Sequence, residues 1–213
     1  MKAGEINIKI SLLEYLVLKK GIDGIYINEF TNNNCGVRAD LAVLNNQSLH
    51  AFEVKSDLDT CRRLSEQVRL YDLYFDRYVV VCTRKHLDNV TSIVRGTRSG
   101  VYLYEDGQLY VKRRGRHKLI ANETILRSLL PSSLPKSNQG ARVLLSRSLT
   151  KRYGENLKVI ERIKVDRSAT DQDILDLNPH NVRKRAFRNH LKKSDEAWMA
   201  LANSNHRPNR PPC

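Results

Sequence analysis

Tyr78-Val79-Val80-Val81-Cys82-Thr83 is an unbroken run of apolar and β-branched residues with no polar alternation. Such a strand has no face for water, so it belongs in the middle of a sheet covered on both sides. The segments around it set the class. Ile10 to Gly21 repeats its apolar residues at three and four, ends on Lys19-Lys20, and closes on a glycine, which predicts a helix. Residues 25–30 are β-rich. Arg38 to Asn45 and Leu49 to Lys55 read as two strands joined at Asn45-Asn46-Gln47-Ser48. A helix is expected from about Thr60 to Leu73, with Asp57 to Thr60 offering cap side chains, and a shorter one from about Lys85 to Val94. Gly100 to Tyr104 and Gln108 to Lys112 form a further hairpin about Glu105-Asp106-Gly107. Strand, hairpin, helix, strand is an α/β order with a mixed central sheet flanked by helices.

Pro131-Ser132-Ser133-Leu134-Pro135 interrupts this order, and the chain beyond it reads as helical and basic. The expected division is a core over residues 1–130, a basic, mainly helical extension over 131–204, and a flexible tail over 205–213. Charge supports two duties. Residues 1–110 balance their charges, whereas residues 111–213 carry the whole surplus of +14. A basic excess gathered in one half points to a polyanion, most simply nucleic acid. Arg113, Arg114, Arg116 and Lys118 crowd the end of the second hairpin and are expected to neutralise phosphates. Thr170 to Leu177 reads as a short capped helix. A second, begun by Asn178-Pro179, carries Arg183, Lys184 and Arg185. The pair is either an ordinary helical hairpin or a helix-turn-helix with its basic helix set to dock on DNA.

No apolar run approaches the roughly 18 residues that span a bilayer, and the first residues lack the apolar core of a signal peptide. Cys35, Cys61, Cys82 and Cys213 are scattered without metal-site spacing. The chain is thus expected to work reduced, in a cytoplasm, without a membrane.

Chemistry concentrates in the first hairpin. Glu53 and Lys55 are two apart on one strand and leave the same face. Asp40, on the neighbouring strand, can meet Glu53 across the ladder. Two close carboxylates resist joint ionisation unless a cation lies between them, and Mg²⁺ or Mn²⁺ is the natural choice for oxygen donors.

Asp40 followed by Glu53-Val54-Lys55 resembles the signature of the PD-(D/E)xK phosphodiesterase superfamily of restriction enzymes, resolvases and recombination exonucleases. The surrounding Arg38 to Asn45, Phe52-Glu53-Val54-Lys55-Ser56-Asp57-Leu58-Asp59-Thr60, Arg63-Leu64, Gln67…Tyr71 and Phe75 to Val81 resemble one bacterial and phage family within it. Ala39 stands where the superfamily's name places proline. The resemblance covers about Glu29 to Lys85 and implies a restriction-endonuclease-like core. It implies that Asp40, Glu53 and the Val54 carbonyl bind metal and that Lys55 is catalytic. An additional acid is expected, with Glu29 the better match and Glu14 on the first helix its rival. Gln67 and Tyr71, four apart on a helix, would line the site beside the substrate. The implied function is a metal-dependent nuclease acting on DNA, or on RNA, in DNA processing or phage–host conflict. The alternative is a non-catalytic nucleic-acid-binding or protein-interaction module on the same core.

Overall fold

The computed structural model describes residues 3–32, 36–130, 139–178 and Glu196. It divides into a unit over Met1–Pro179 and a second over His180–Cys213. The latter contains Arg183, Lys184 and Arg185, which lie outside the described residues, as does the basic helix expected around them.

In the first unit, α1 (Glu5–Glu14) runs directly into a π-helical segment, Tyr15–Lys19, before Gly21 takes the left-handed conformation that stops the helix. Then come β1 (Ile25–Asn32), β2 (Val37–Asn45) and β3 (Ser48–Lys55). These pair antiparallel in sequence, the second turn being made by Asn46 and Gln47, both at positive φ. The crossover helix α2 (Leu64–Tyr74) carries the chain to β4 (Arg77–Thr83), parallel to β3. A short 3₁₀ turn and α3 (Leu87–Ile93) lead to β5 (Gly100–Glu105), parallel to β4. Asp106-Gly107 turns into β6 (Gln108–Arg113), antiparallel to β5. The result is a six-stranded mixed sheet in chain order, and the Val79–Val81 run lies inside it, fully buried.

Side-chain alternation assigns the layers. Ile27, Ala42, Ala51, Val80 and Cys82 face a core completed by Leu64, Val68 and Tyr71 of α2 and Val90 of α3. Tyr26, Leu41, Phe52, Val79 and Val81 face the other core, against Ile8, Leu12 and Leu13 of α1. The remaining helices are α4 (Glu123–Ser128), α5 (Ala141–Tyr153), α6 (Leu157–Asp166) and α7 (Asp171–Asp176). Leu145, Leu149 and Tyr153 of α5 join the first core, and Ile160, Ile163 and Ile174 of α6 and α7 the second. The boundary expected at residue 130 therefore falls inside the compact unit. Basic composition hid apolar seams at helical spacing, each worth roughly 1.5–3 kcal/mol per fully buried aliphatic side chain.

Polar side chains tie these late helices to the first strand. Asn156 donates from Nδ2 to the carbonyls of Tyr26 and Leu177. Asn28 donates from Nδ2 to the Ile174 carbonyl, and its main-chain N–H to that of Leu177. Thr170 and Asp173 form a capping box at the start of α7, as its sequence predicts. At the other margin the backbone leaving β6 folds back onto β5. A Cβ at Gly100 would come within 2.8 Å of the Gly115 nitrogen, so only glycine permits that approach.

Helix α2 starts at Leu64, later than its sequence suggests. The Asp59 carboxylate accepts the N–H and hydroxyl of Ser56, capping a turn after β3 instead of the helix. Among the described residues, no helix is long and apolar enough to cross a membrane.

Candidate active site

The cleft lies where the end of β3 meets α2 and the start of α1. It has a volume of about 340 Å³ and is lined by Glu5, Arg38, Asp40, Glu53, Val54, Lys55, Asp59, Arg63, Glu66, Gln67 and Tyr71, among others. Regular pairing of β2 with β3 runs as far as Leu41 opposite Phe52. Asp40 lies just beyond it, next to Glu53. Its Oδ2 accepts the Val54 N–H at 2.7 Å. Glu53 is buried and takes three donors. Lys55 Nζ lies 2.7 Å from Oε1, Gln67 Nε2 2.5 Å from the same oxygen, and the Tyr71 hydroxyl 2.5 Å from Oε2. Gln67 Oε1 in turn accepts from Lys55 Nζ at 3.2 Å, so one amide fixes both ends of the ion pair. The Gln67–Tyr71 spacing works as the helix geometry demands: both side chains descend from α2 onto Glu53.

Electrostatics in the cleft are unbalanced at one point. Burial first, and the Glu53 charge second, push the pKa of Asp40 up to about 7, against the opposing pull of the Val54 N–H and Lys9. Burial and the Glu53 carboxylate likewise hold the Tyr71 hydroxyl well above its ordinary value, keeping it a donor. The shift at Asp40 makes a signed prediction. Between the ordinary 3.8 and about 7 the folded chain holds a proton that the unfolded chain has lost, so stability falls as pH rises through that window. In chelator, wild type should melt lower at pH 8 than at pH 5. Asp40→Asn, which can still accept the Val54 N–H, should remove on the order of 2 kcal/mol of that decline. Parallel pH profiles for the two proteins would refute this.

Glu29 is beside the site, and its backbone is unusual. It sits at φ 54 between Asn28 and Phe30, whose partners Leu41 and Ala39 flank Asp40. A non-glycine residue held there is strained and needs compensation. It finds two partners, Lys9 at 2.5 Å and Arg38 at 2.7 Å. Burial works against the Glu29 charge, but these two cations outweigh it and hold the carboxyl below its usual range. Glu14 is elsewhere, accepting the N–H of Ala169. The acid that α1 does bring to the cleft is Glu5, which sequence spacing did not single out. Oxygens of Glu5, Glu29 and Asp40 lie within 4.8 Å of one another.

The basic loop after β6 lies away from the cleft. Arg116 donates its main-chain N–H to Arg98 and Lys118 its own to Asp76, so the loop runs beneath the starting ends of the parallel strands. Asp76 bonds Leu49, and the stretch of β3 from Leu49 to Lys55 rises about 20 Å. Arg113 is spent on structure, its guanidinium donating to the carbonyls of Val94, Thr97 and Ser99. Arg114, Arg116 and Lys118 are exposed. The cations that border the cleft are Arg38 and Arg63 instead.

Comparison with known proteins adds a lineage. The family described as bacteriophage P4 protein cII matches residues 1–209. Protein cII of Enterobacteria phage P4 is 41% identical over 92 residues, which make up 42% of this chain and 34% of that protein. The match thus spans about a third of the length of this curated relative. Among solved structures, the SPO1766 protein of unknown function from Silicibacter pomeroyi aligns over 73% of this chain and 92% of its own, at 13% identity and a TM-score of 0.44.

Proposed function

The chain belongs to the bacteriophage P4 protein cII family, and we propose that it is a metal-dependent nuclease hydrolysing phosphodiester bonds in DNA at the Asp40–Glu53–Lys55 cleft. One observation carries this reading. Two carboxylates from adjacent strands converge beside a lysine held two residues further along, and the Asp40 charge lacks a sufficient counter-charge. The pattern is the one whose resemblance to the PD-(D/E)xK superfamily the sequence carries.

The donor set suits a hard ion such as Mg²⁺ or Mn²⁺. Asp40 has a second oxygen with no hydrogen-bond donor among the described residues. Glu53 offers about four acceptor directions, of which three are used. The Val54 carbonyl is the third candidate ligand, and Glu29 is a fourth only if it exchanges Lys9 or Arg38. A bound ion supplies charge stabilisation at a phosphate oxygen and a more acidic water. Lys55 holds its ammonium over the Glu53 carboxylate, where it can donate to an attacking water or to phosphate oxygen. Gln67 fixes the Lys55 rotamer, and Tyr71 clamps the far oxygen of Glu53. Arg38 and Arg63 at the rim supply positive charge for a nucleic-acid backbone.

A second reading has its own support. Glu53 is already paired with Lys55 and hydrogen-bonded by Gln67 and Tyr71, which would suit a nucleic-acid-binding or protein-interaction module without turnover. The deciding experiment incubates the chain with circular and linear, single- and double-stranded DNA, and with RNA, in Mg²⁺, Mn²⁺ or chelator. Metal-dependent cleavage of a DNA that Glu53→Ala leaves intact is the expected result. Binding without cleavage in every arm overturns it, and cleavage confined to RNA reassigns the substrate.

A further inference from the structure

Lys9 is a buried cation outside the triad. It lies on α1, 3% exposed, with three oxygens around its ammonium. Glu29 Oε1 is at 2.5 Å, Glu5 Oε1 at 2.6 Å and Asn28 Oδ1 at 2.9 Å. The Lys9–Glu29 pair is largely buried, whereas Glu5 reaches Lys9 from the exposed side. Asn28 is anchored through its Nδ2 to the Ile174 carbonyl, and Glu29 is pinned from its other oxygen by Arg38. Glu5 is one helical turn before Lys9, so α1 delivers both members of that pair at once.

The acids concerned are the ones that close upon Asp40. Three clustered carboxylates are what a second divalent ion would seek, at 2.0–2.6 Å from the same oxygens. Here a three-donor ammonium already sits on two of them, Glu5 and Glu29. Charge arithmetic points the same way. With Asp59, Glu66 and Arg63 of the same cleft, Glu5, Glu29, Asp40 and Glu53 meet Lys9, Arg38 and Lys55 to leave two net negative charges, which a single divalent ion balances.

We infer that Lys9 is a built-in cation filling the outer carboxylate cluster, so that the cleft takes one divalent ion, at Asp40 and Glu53, and not two. The count of one rests on the metal-dependent reading above; the role of Lys9 in excluding an ion does not. Lys9 is a positioning residue here, acting through Glu29 and Glu5 rather than on substrate.

Mn²⁺ titration of the whole chain, with free ion followed by electron paramagnetic resonance, tests this without any assay of cleavage. Wild type should bind one equivalent. Lys9→Met should bind one more, and Lys9→Met combined with Glu29→Gln should lose that addition. Two equivalents on wild type, or an unchanged count on Lys9→Met, overturn the inference. Should Lys9→Met unfold in chelator, stoichiometric Mn²⁺ should restore its circular dichroism; failure to do so at millimolar ion is equally fatal. No binding by wild type would remove the metal-dependent reading, yet an increment of one on losing Lys9 would still establish the built-in cation.

Discussion

Lys55→Ala should slow DNA hydrolysis by about 10²–10⁴-fold at saturating substrate, while Mn²⁺ binding is kept or tightened. The two halves of that result come from one geometry. The ammonium lies 2.7 Å from Glu53 Oε1, on the carboxylate that would hold the ion, so its removal takes away a donor for the reacting water or phosphate. The same removal frees an acceptor on Glu53, and metal gains a ligand direction. Asp40→Ala should behave oppositely, losing ion affinity together with rate. Initial rates and Mn²⁺ affinity on the same preparations separate the cases. Wild-type cleavage by the lysine variant would end the proposed mechanism.

Asp76→Ala should cost about 3–5 kcal/mol of stability, the largest effect expected from any single substitution outside the apolar core. Asp76 is 2% exposed and organises the end of the sheet remote from the cleft. Its carboxylate accepts the N–H groups of Leu49 at 2.8 Å and Ile120 at 2.7 Å, and both terminal nitrogens of Arg142 at 3.0 and 2.9 Å. Burial works against ionising it, but Arg142 and the two amides outweigh that and hold its pKa below the ordinary value. Its contribution is therefore present above the ordinary carboxylate pKa and fades as pH falls through the lowered one. Alanine would leave two buried amides without their acceptor and a largely buried guanidinium without its counter-charge, bonded only to the Gln47 and Ile120 carbonyls. Urea midpoints of Asp76→Ala, Arg142→Ala and the double variant should show strong coupling. Additive losses would mean that the pair is not a unit. Activity per folded molecule should survive, since none of these groups reaches the cleft.

Local pattern carried the sheet and the inner half of the site. The β-branched run gave β4, the turn residues Asn45 to Ser48 set off β2 from β3, and the two-residue step from Glu53 to Lys55 put both on one face. Gln67 and Tyr71 are expected at the site from the family resemblance, and their four-residue step on α2 puts both on one face. What stayed hidden was long-range. Glu5 and Lys9 precede the helix expected from Ile10, yet α1 starts at Glu5 and its first turn reaches the cleft through a packing angle no spacing encodes. Asp76 resembles any acid before a strand until Arg142 is brought to it. The α5 and α6 seams were masked by the arginines and lysines around them, because net charge reports partners and solubility and not fold. Arg113 shows the converse error, a charge counted for phosphate that is used up on carbonyls.

The ties from Asn156, Ile174 and Leu177 to β1 also have a consequence in time. The first strand of this sheet is finished by residues made some 130 to 149 positions later. Until α7 emerges, the outer margin of β1 has lost neither its free N–H groups nor the apolar surface around Tyr26. Contacts of such sequence separation form slowly, and an unfinished strand margin is where nascent chains find wrong partners. The late helices thus act as the closing clasp of a sheet begun long before them, and a chain halted short of Leu177 leaves that first strand unguarded.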